Sequence, residues 1–376
     1  LAYKPHELIN RQLTINKVRK QILTHPHLTT IGITGSYGKT GTKNFLFDIL
    51  NNFLPSLKTP ESYNTVFGIA KTINLELTDN LHYFISEMGA YKIGEINELC
   101  RMTPPNYAIL TAIGTQHLER FKNLKNTTEA KFELINHTPP SHALVNLDNP
   151  YIAANLSKYN RLKTYSLADP KADFFVSKLL ITPIGINFTL NNHAFETPLF
   201  GTSNLSNLAA ALSMAMMLKI PLQLIKESVA KMNPAPHRLE LKKIGQATLI
   251  DNAYSSNEKG FKNIMADLKR LKGKKALITP GIVELGGETA CIHRELGKLA
   301  ATVFDTIILE GHNIRTDNFA IGVRHCERSL AKGGRSMAIH TNISFLNSSS
   351  SLWPTIDRLA ETHSWILLEN DLPDNY

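Results

Sequence analysis

The chain has 376 residues, 43% hydrophobic and 19% charged. This excludes a disordered polyelectrolyte and is too long for one ordinary core, so two or three globular domains are expected. The formal net charge is +9, but the lysines and arginines are spread out, with only short clusters such as Lys269-Arg270-Leu271-Lys272 and Lys274-Lys275. That excess reads as suited to anionic substrates rather than to nucleic acid.

The longest apolar stretch, Leu208 to Leu218, is interrupted by a serine and is too short to cross a bilayer. The segment after Leu1 lacks the apolar region of a secretory leader, and Cys100, Cys291 and Cys326 are isolated. No membrane segment, leader, zinc site or disulfide framework is therefore expected. A monomer in the reducing cytoplasm is.

Residues 1–28 read as a polar helix and linker. Leu28 to Thr34 reads as a buried strand and Lys39 to Phe53 as the helix after it. Tyr83 to Ser86, Tyr107 to Ile113 and Ala143 to Leu147 are further apolar strands, and Phe174 to Leu190 predicts a small antiparallel patch. Asn204 to Lys219, rich in Ala, Leu and Met, predicts a largely buried helix. Two prolines in Asn233-Pro234-Ala235-Pro236-His237-Arg238 cannot continue a helix, so a domain boundary is placed there. A second α/β unit follows, with strands near Thr248–Asp251, Lys275–Thr279, Thr306–Glu310 and Trp365–Glu369 and helices including Lys259–Leu271 and Arg294–Thr302. The expected fold is α/β: a P-loop ATPase-like domain with a mainly parallel sheet over 29–236, then a Rossmann-like domain over 237–376.

The strongest motif is Thr34-Gly35-Ser36-Tyr37-Gly38-Lys39-Thr40, between a strand and a helix. Glycines let the backbone turn its N–H groups onto phosphate oxygens, Lys39 reaches the terminal phosphates of ATP, and the Thr40 hydroxyl suits Mg²⁺. The general pattern asks for glycine where this chain has Ile33, so the loop is a variant. Glu87 closes an apolar strand, and ligands collect at the carboxyl ends of strands in open α/β sheets, so its carboxylate can hold Mg²⁺ beside Thr40. Taken alone, Lys131 in Glu129-Ala130-Lys131-Phe132-Glu133 is a solvated helical lysine.

The variant loop resembles the T-G-x-x-G-K-T loop of the Mur ligases and of folylpolyglutamate synthases. Further strings resemble the Mur ligases from about Thr29 to the C-terminus. Glu87-Met88-Gly89-Ala90 with Gly94-Glu95-Ile96 is similar to the member that adds D-alanyl-D-alanine. His117, after the next strand, stands where the family carries a metal-associated histidine. Lys131 matches its A-K-x-E segment, whose lysine is commonly carbamylated. Asn207, in Asn204-Leu205-Ser206-Asn207, matches an adenine contact, although Ser203 replaces the family's histidine. Arg238 matches a phosphate contact, Asp251 the ribose-binding aspartate, and Tyr254 and Asn257 nucleotide-side positions. Tyr63-Asn64-Thr65 with Gly68 resembles the loop that faces the UDP-linked substrate. Only about 28 residues precede the first strand, so the usual N-terminal UDP-binding domain is not expected within this sequence.

The resemblance implies an ATP-dependent amide ligase working through an acyl phosphate, with two Mg²⁺ ions and a carbamylated Lys131. Its implied partners are a UDP-muramoyl-peptide and D-alanyl-D-alanine. The alternatives are a folylpolyglutamate-synthase-like or other Mur-type amino-acid ligase, and a non-catalytic nucleotide-binding scaffold.

Overall fold

The computed structural model describes residues 5–60, 63–114, 121–182, 184–234, 236–254, 257–283, 285–332, 341–346 and 351–370. The chain divides into two compact units. The first comprises Leu1–Leu179, Asn187–Thr197 and Leu205–Met232, and the second Leu180–Ile186, Pro198–Asn204 and Asn233–Tyr376.

The first unit opens with α1 (Pro5–Leu23), whose Ile15, Val18 and Ile22 sit at helical spacing and enter the core. The next elements are β1 (Thr29–Thr34), α2 (Lys39–Asn51), β2 (Ser56–Lys58), α3 (Val66–Glu76), β3 (Tyr83–Glu87), α4 (Glu95–Met102), β4 (Tyr107–Leu110), α5 (Leu124–Asn136), β5 (Ala143–Asn146), α6 (Pro150–Ala153), β6 (Lys163–Ser166), β7 (Phe174–Thr182), β8 (Gly185–Leu190), β9 (His193–Thr197), α7 (Thr202–Met217) and α8 (Leu222–Ala230). The nine strands of this stretch form one sheet in the order β2-β3-β1-β4-β5-β6-β7-β8-β9, parallel from β2 through β7, and the Leu180–Ile186 stretch across the β7–β8 turn is grouped with the second unit. The links β7–β8 and β8–β9 are too short for a parallel crossover, which makes that end antiparallel. Asn191 and Asn192 supply the second link with φ of 45° and 68°, the left-handed pair a two-residue hairpin needs.

β1 lies between β3 and β4 in register, with Ile33 beside Glu87 and Thr34 beside Leu110. The carboxyl ends of three strands are therefore level, which sets the loop after β1 beside the last residue of β3. The strand predicted to run to Ile113 stops at Leu110 because Thr111 and Ala112 bond to that loop instead.

The second unit contains β10 (Glu240–Ile244), β11 (Ala247–Asn252), α9 (Glu258–Lys269), β12 (Lys275–Thr279), α10 (Thr289–Ala300), β13 (Thr306–Glu310), α11 (Ile314–Lys332), β14 (Asn342–Leu346), α12 (Leu352–Ala360) and β15 (Trp365–Glu369). The sheet order is β10-β11-β15-β12-β13-β14, parallel except for β10 against β11. Alternate residues feed separate cores on its two faces, Ile250, Leu277 and Leu367 on one and Leu249, Ile278 and Leu368 on the other. Among the described residues, no helix is long and apolar enough to cross a membrane.

Candidate active site

The loop Gly35 to Gly38 is fixed by the strap that follows β4. The Ser36 amide donates to the Ala112 carbonyl at 2.7 Å, and Thr111 Oγ1 donates to the Tyr37 carbonyl at 2.6 Å. The Gly114 amide donates to Ser36 Oγ at 3.0 Å. Glycine is required at two points. At Gly35 (φ 154°) a Cβ would lie 2.1 Å from Thr111 Oγ1, and at Gly38 (φ 85°) it would lie 2.5 Å from Asn207 Oδ1. Asn207, on α7, thus sits directly against the phosphate-loop candidate. Gly38 begins α2 without a side-chain cap, so the first amides of the helix are offered to an anion.

Lys39 folds over this loop, its Nζ donating to the Gly35 carbonyl at 2.9 Å and to the Ser36 carbonyl at 3.4 Å. Burial lowers its pKa, an effect partly opposed by Glu87 and reinforced by Lys43. The next residue, Thr40, donates from Oγ1 to Glu87 Oε2 at 3.0 Å. The other Glu87 oxygen accepts from Asn64 Nδ2 at 3.2 Å. The Glu87 amide donates to Thr59 Oγ1 at 3.1 Å. A hydroxyl and a carboxylate, both hard oxygen donors, therefore converge at the carboxyl end of β3, a donor set that fits Mg²⁺.

Lys131 is not solvated. It is 4% exposed on α5, with Nζ 5.8 Å from the centre of the Phe121 ring. Burial, then the charge of Lys39, push its pKa down to about 7 against the opposing pull of Glu95, Glu133 and Glu87. Lys39, Lys131 and Asn64 line one cleft with Gly35, Ser36 and Tyr91. Tyr63 lies close to Lys71, whose Nζ is 5.5 Å from its ring centre, and Thr65 caps α3. His117, the remaining metal candidate, lies outside the described residues.

Lys43 was not singled out in the sequence, yet it is fully buried and its Nζ lies 3.0 Å from Glu87 Oε2. The signal for it is periodicity. It sits one turn after Lys39, within the apolar face formed by Thr42, Phe45, Leu46, Ile49 and Leu50, where a lysine must find a partner.

The second unit gathers its own candidates. Asp251, 1% exposed, accepts from Lys242 Nζ at 2.7 Å and lies 2.8 Å from His237 Nδ1. His237, Glu240 and Asp251 come close enough to hold a metal, but the Lys242 ammonium bonds to both carboxylates and already supplies a cation there. The Arg238 guanidinium lies over the ring of Tyr254 at 4.2 Å. Asn257 caps α9, accepting from the Gly260 amide at 2.9 Å.

A sequence profile of the Mur ligase middle domain matches residues 33–215. Residues 33–215 are a Mur ligase middle domain. The matched segment holds Lys39, Thr40, Glu87, Lys131 and Asn207, while the Asp251 cluster lies beyond it. The chain is 28% identical over 310 residues to the UDP-N-acetylmuramoyl-tripeptide–D-alanyl-D-alanine ligase of Buchnera aphidicola, covering 79% of this chain and 68% of that protein. It is 29% identical over 313 residues to the ligase of the same name from Synechocystis, covering 82% and 67%. Among solved Mur ligases, MurF of Acinetobacter baumannii superposes with a TM-score of 0.78 at 24% identity, covering 96% of this chain and 77% of that one. The MurF ligase of Thermotoga maritima in complex with ADP gives 0.79 at 20%, covering 96% and 80%.

Proposed function

We propose that this chain is an ATP-dependent ligase that joins D-alanyl-D-alanine to a UDP-muramoyl-peptide in cytoplasmic peptidoglycan precursor synthesis. The observation that carries the reading is the convergence of Lys39, Thr40, Glu87 and Lys131 around one end of the parallel sheet, in a chain whose relatives bear that ligase name. The catalytic body is assigned to residues 29–236 and the following domain to 237–376, with residues 1–28 as a leading helix and linker.

A carboxylate is a poor electrophile. In the proposed reaction its oxygen attacks the γ-phosphorus of ATP, the bond to the bridging oxygen breaks, and ADP leaves with the electron pair. The amine nitrogen of the dipeptide then adds to the acyl carbon and gives up a proton, and inorganic phosphate leaves as the amide forms. The protein's share is positioning and charge neutralisation. Lys39 turns from the Gly35 and Ser36 carbonyls to the terminal phosphates, and the uncapped amides at the start of α2 hold the phosphate oxygens. Asn207 is assigned to the adenine side, and Tyr63, Asn64 and Thr65 to the substrate side.

Thr40 and Glu87 would hold one Mg²⁺, and His117 with Lys131 a second; such ions, when bound, neutralise the phosphate charge. Lys131 suits this role as a carbamate: its neutral nitrogen bonds to the carbon of CO₂ and loses a proton, which leaves an anion. A pKa near 7 keeps the neutral amine available for that step. The test is product formation from UDP-muramoyl-tripeptide, D-alanyl-D-alanine and ATP, with folate plus glutamate as the competing substrate pair.

A further inference from the structure

Glu87 is already satisfied within the protein. Its Oε2 receives Thr40 Oγ1 and Lys43 Nζ, each at 3.0 Å, and its Oε1 receives Asn64 Nδ2 at 3.2 Å. The Lys43–Glu87 pair is withdrawn from water, with side-chain exposures of 0% and 2%. A carboxylate so enclosed would bind a divalent cation strongly if it stood alone, because little solvent screens its charge. The fixed ammonium at 3.0 Å cancels that charge and repels any second cation sharing the carboxylate. Lys39, one turn earlier, is the phosphate-loop lysine. Lys43 bonds instead to the carboxylate, and the chemistry above gives it no task.

We propose that Lys43 is a positioning residue of the metal centre. It fixes the Glu87 carboxylate in one orientation, and its charge keeps the site from retaining a bare divalent cation, so that the cation is held only together with nucleotide phosphates. The phosphates supply the negative charge that Lys43 has removed from Glu87. The inference rests on the reading of Glu87 as a metal ligand and is independent of which amine or acid is joined.

The test is Mn²⁺ titration of the full chain, followed by electron paramagnetic resonance, with and without a non-hydrolysable ATP analogue. The wild type is expected to hold Mn²⁺ at this site weakly alone and at least about tenfold more tightly with the analogue. Lys43→Met, which removes the charge and keeps much of the stem, is expected to bind Mn²⁺ alone about tenfold or more tightly than the wild type. Lys43→Arg, which keeps the charge, should bind Mn²⁺ alone as the wild type does. Equal or weaker binding by Lys43→Met would overturn the proposal. So would tight nucleotide-independent binding by the wild type, a result available even if Lys43→Met fails to fold. Because no acceptor enters this measurement, its failure is distinct from failure of the ligase reading.

Discussion

Lys131→Met should stabilise the protein while removing its activity. The pKa of Lys131 falls from 10.5 to about 7 on folding, chiefly through burial. At about 1.4 kcal/mol per unit, that drop corresponds to roughly 5 kcal/mol as a ceiling on the cost of placing the amine there at neutral pH. Methionine keeps most of the stem in its site and carries no charge, so about 2–3 kcal/mol of that cost should be recovered. The sign fixes the pH window. The folded pKa lies below the unfolded one, so the penalty is complete below about pH 7 and fades as pH rises towards 10.5. Urea unfolding in metal-free, CO₂-free buffer at about pH 6 and about pH 10 reads both features, and the variant's advantage should shrink at the higher pH. A variant less stable than the wild type at the lower pH, or a gap unchanged between the two, would refute the reasoning.

Lys39→Ala should lower ligation by about 10²- to 10³-fold and weaken nucleotide binding, as read by steady-state rates and calorimetry. Gly38→Ala combines a φ of 85° with a Cβ 2.5 Å from Asn207 Oδ1, so a loss of about 1–2 kcal/mol in a denaturant melt is expected, with weaker nucleotide binding. Incubation with ¹³C-labelled CO₂ should give a carbamate resonance that is absent in Lys131→Met and fades below about pH 7 as the amine protonates.

Much of the first unit was legible because its signals are local. A β-branched run, a glycine-rich turn and an apolar helix specify β1, the loop and α2 within Thr29–Asn51, and the position of Glu87 at a strand end follows from the same pattern. What could not be read is set by long-range packing. The burial of Lys131 depends on the placing of α5 over the sheet, and no neighbour in sequence distinguishes it from a surface lysine. Lys43 was hidden for a similar reason, since it lies on α2 and its partner Glu87 on β3, and the two meet only because the parallel register of β1 and β3 sets the start of α2 beside the end of β3. Thr111 looked like the interior of a strand, whereas its hydroxyl serves the loop through the Tyr37 carbonyl. In the second unit the boundaries of β12, β13 and β15 agree with expectation because each is a short apolar run buried on both faces. The short β10 and β14 are partly exposed and carry no such signature.

The most direct test of the proposed activity is a single incubation of the purified chain with UDP-muramoyl-tripeptide, D-alanyl-D-alanine, ATP and Mg²⁺, followed by mass spectrometry and phosphate release. The account predicts a product whose mass is the sum of the two substrates less one water, with one phosphate released per amide formed, and both slowed by about 10²- to 10³-fold in Lys39→Ala. Phosphate release without that product, or ligation of glutamate to folate instead, would contradict it.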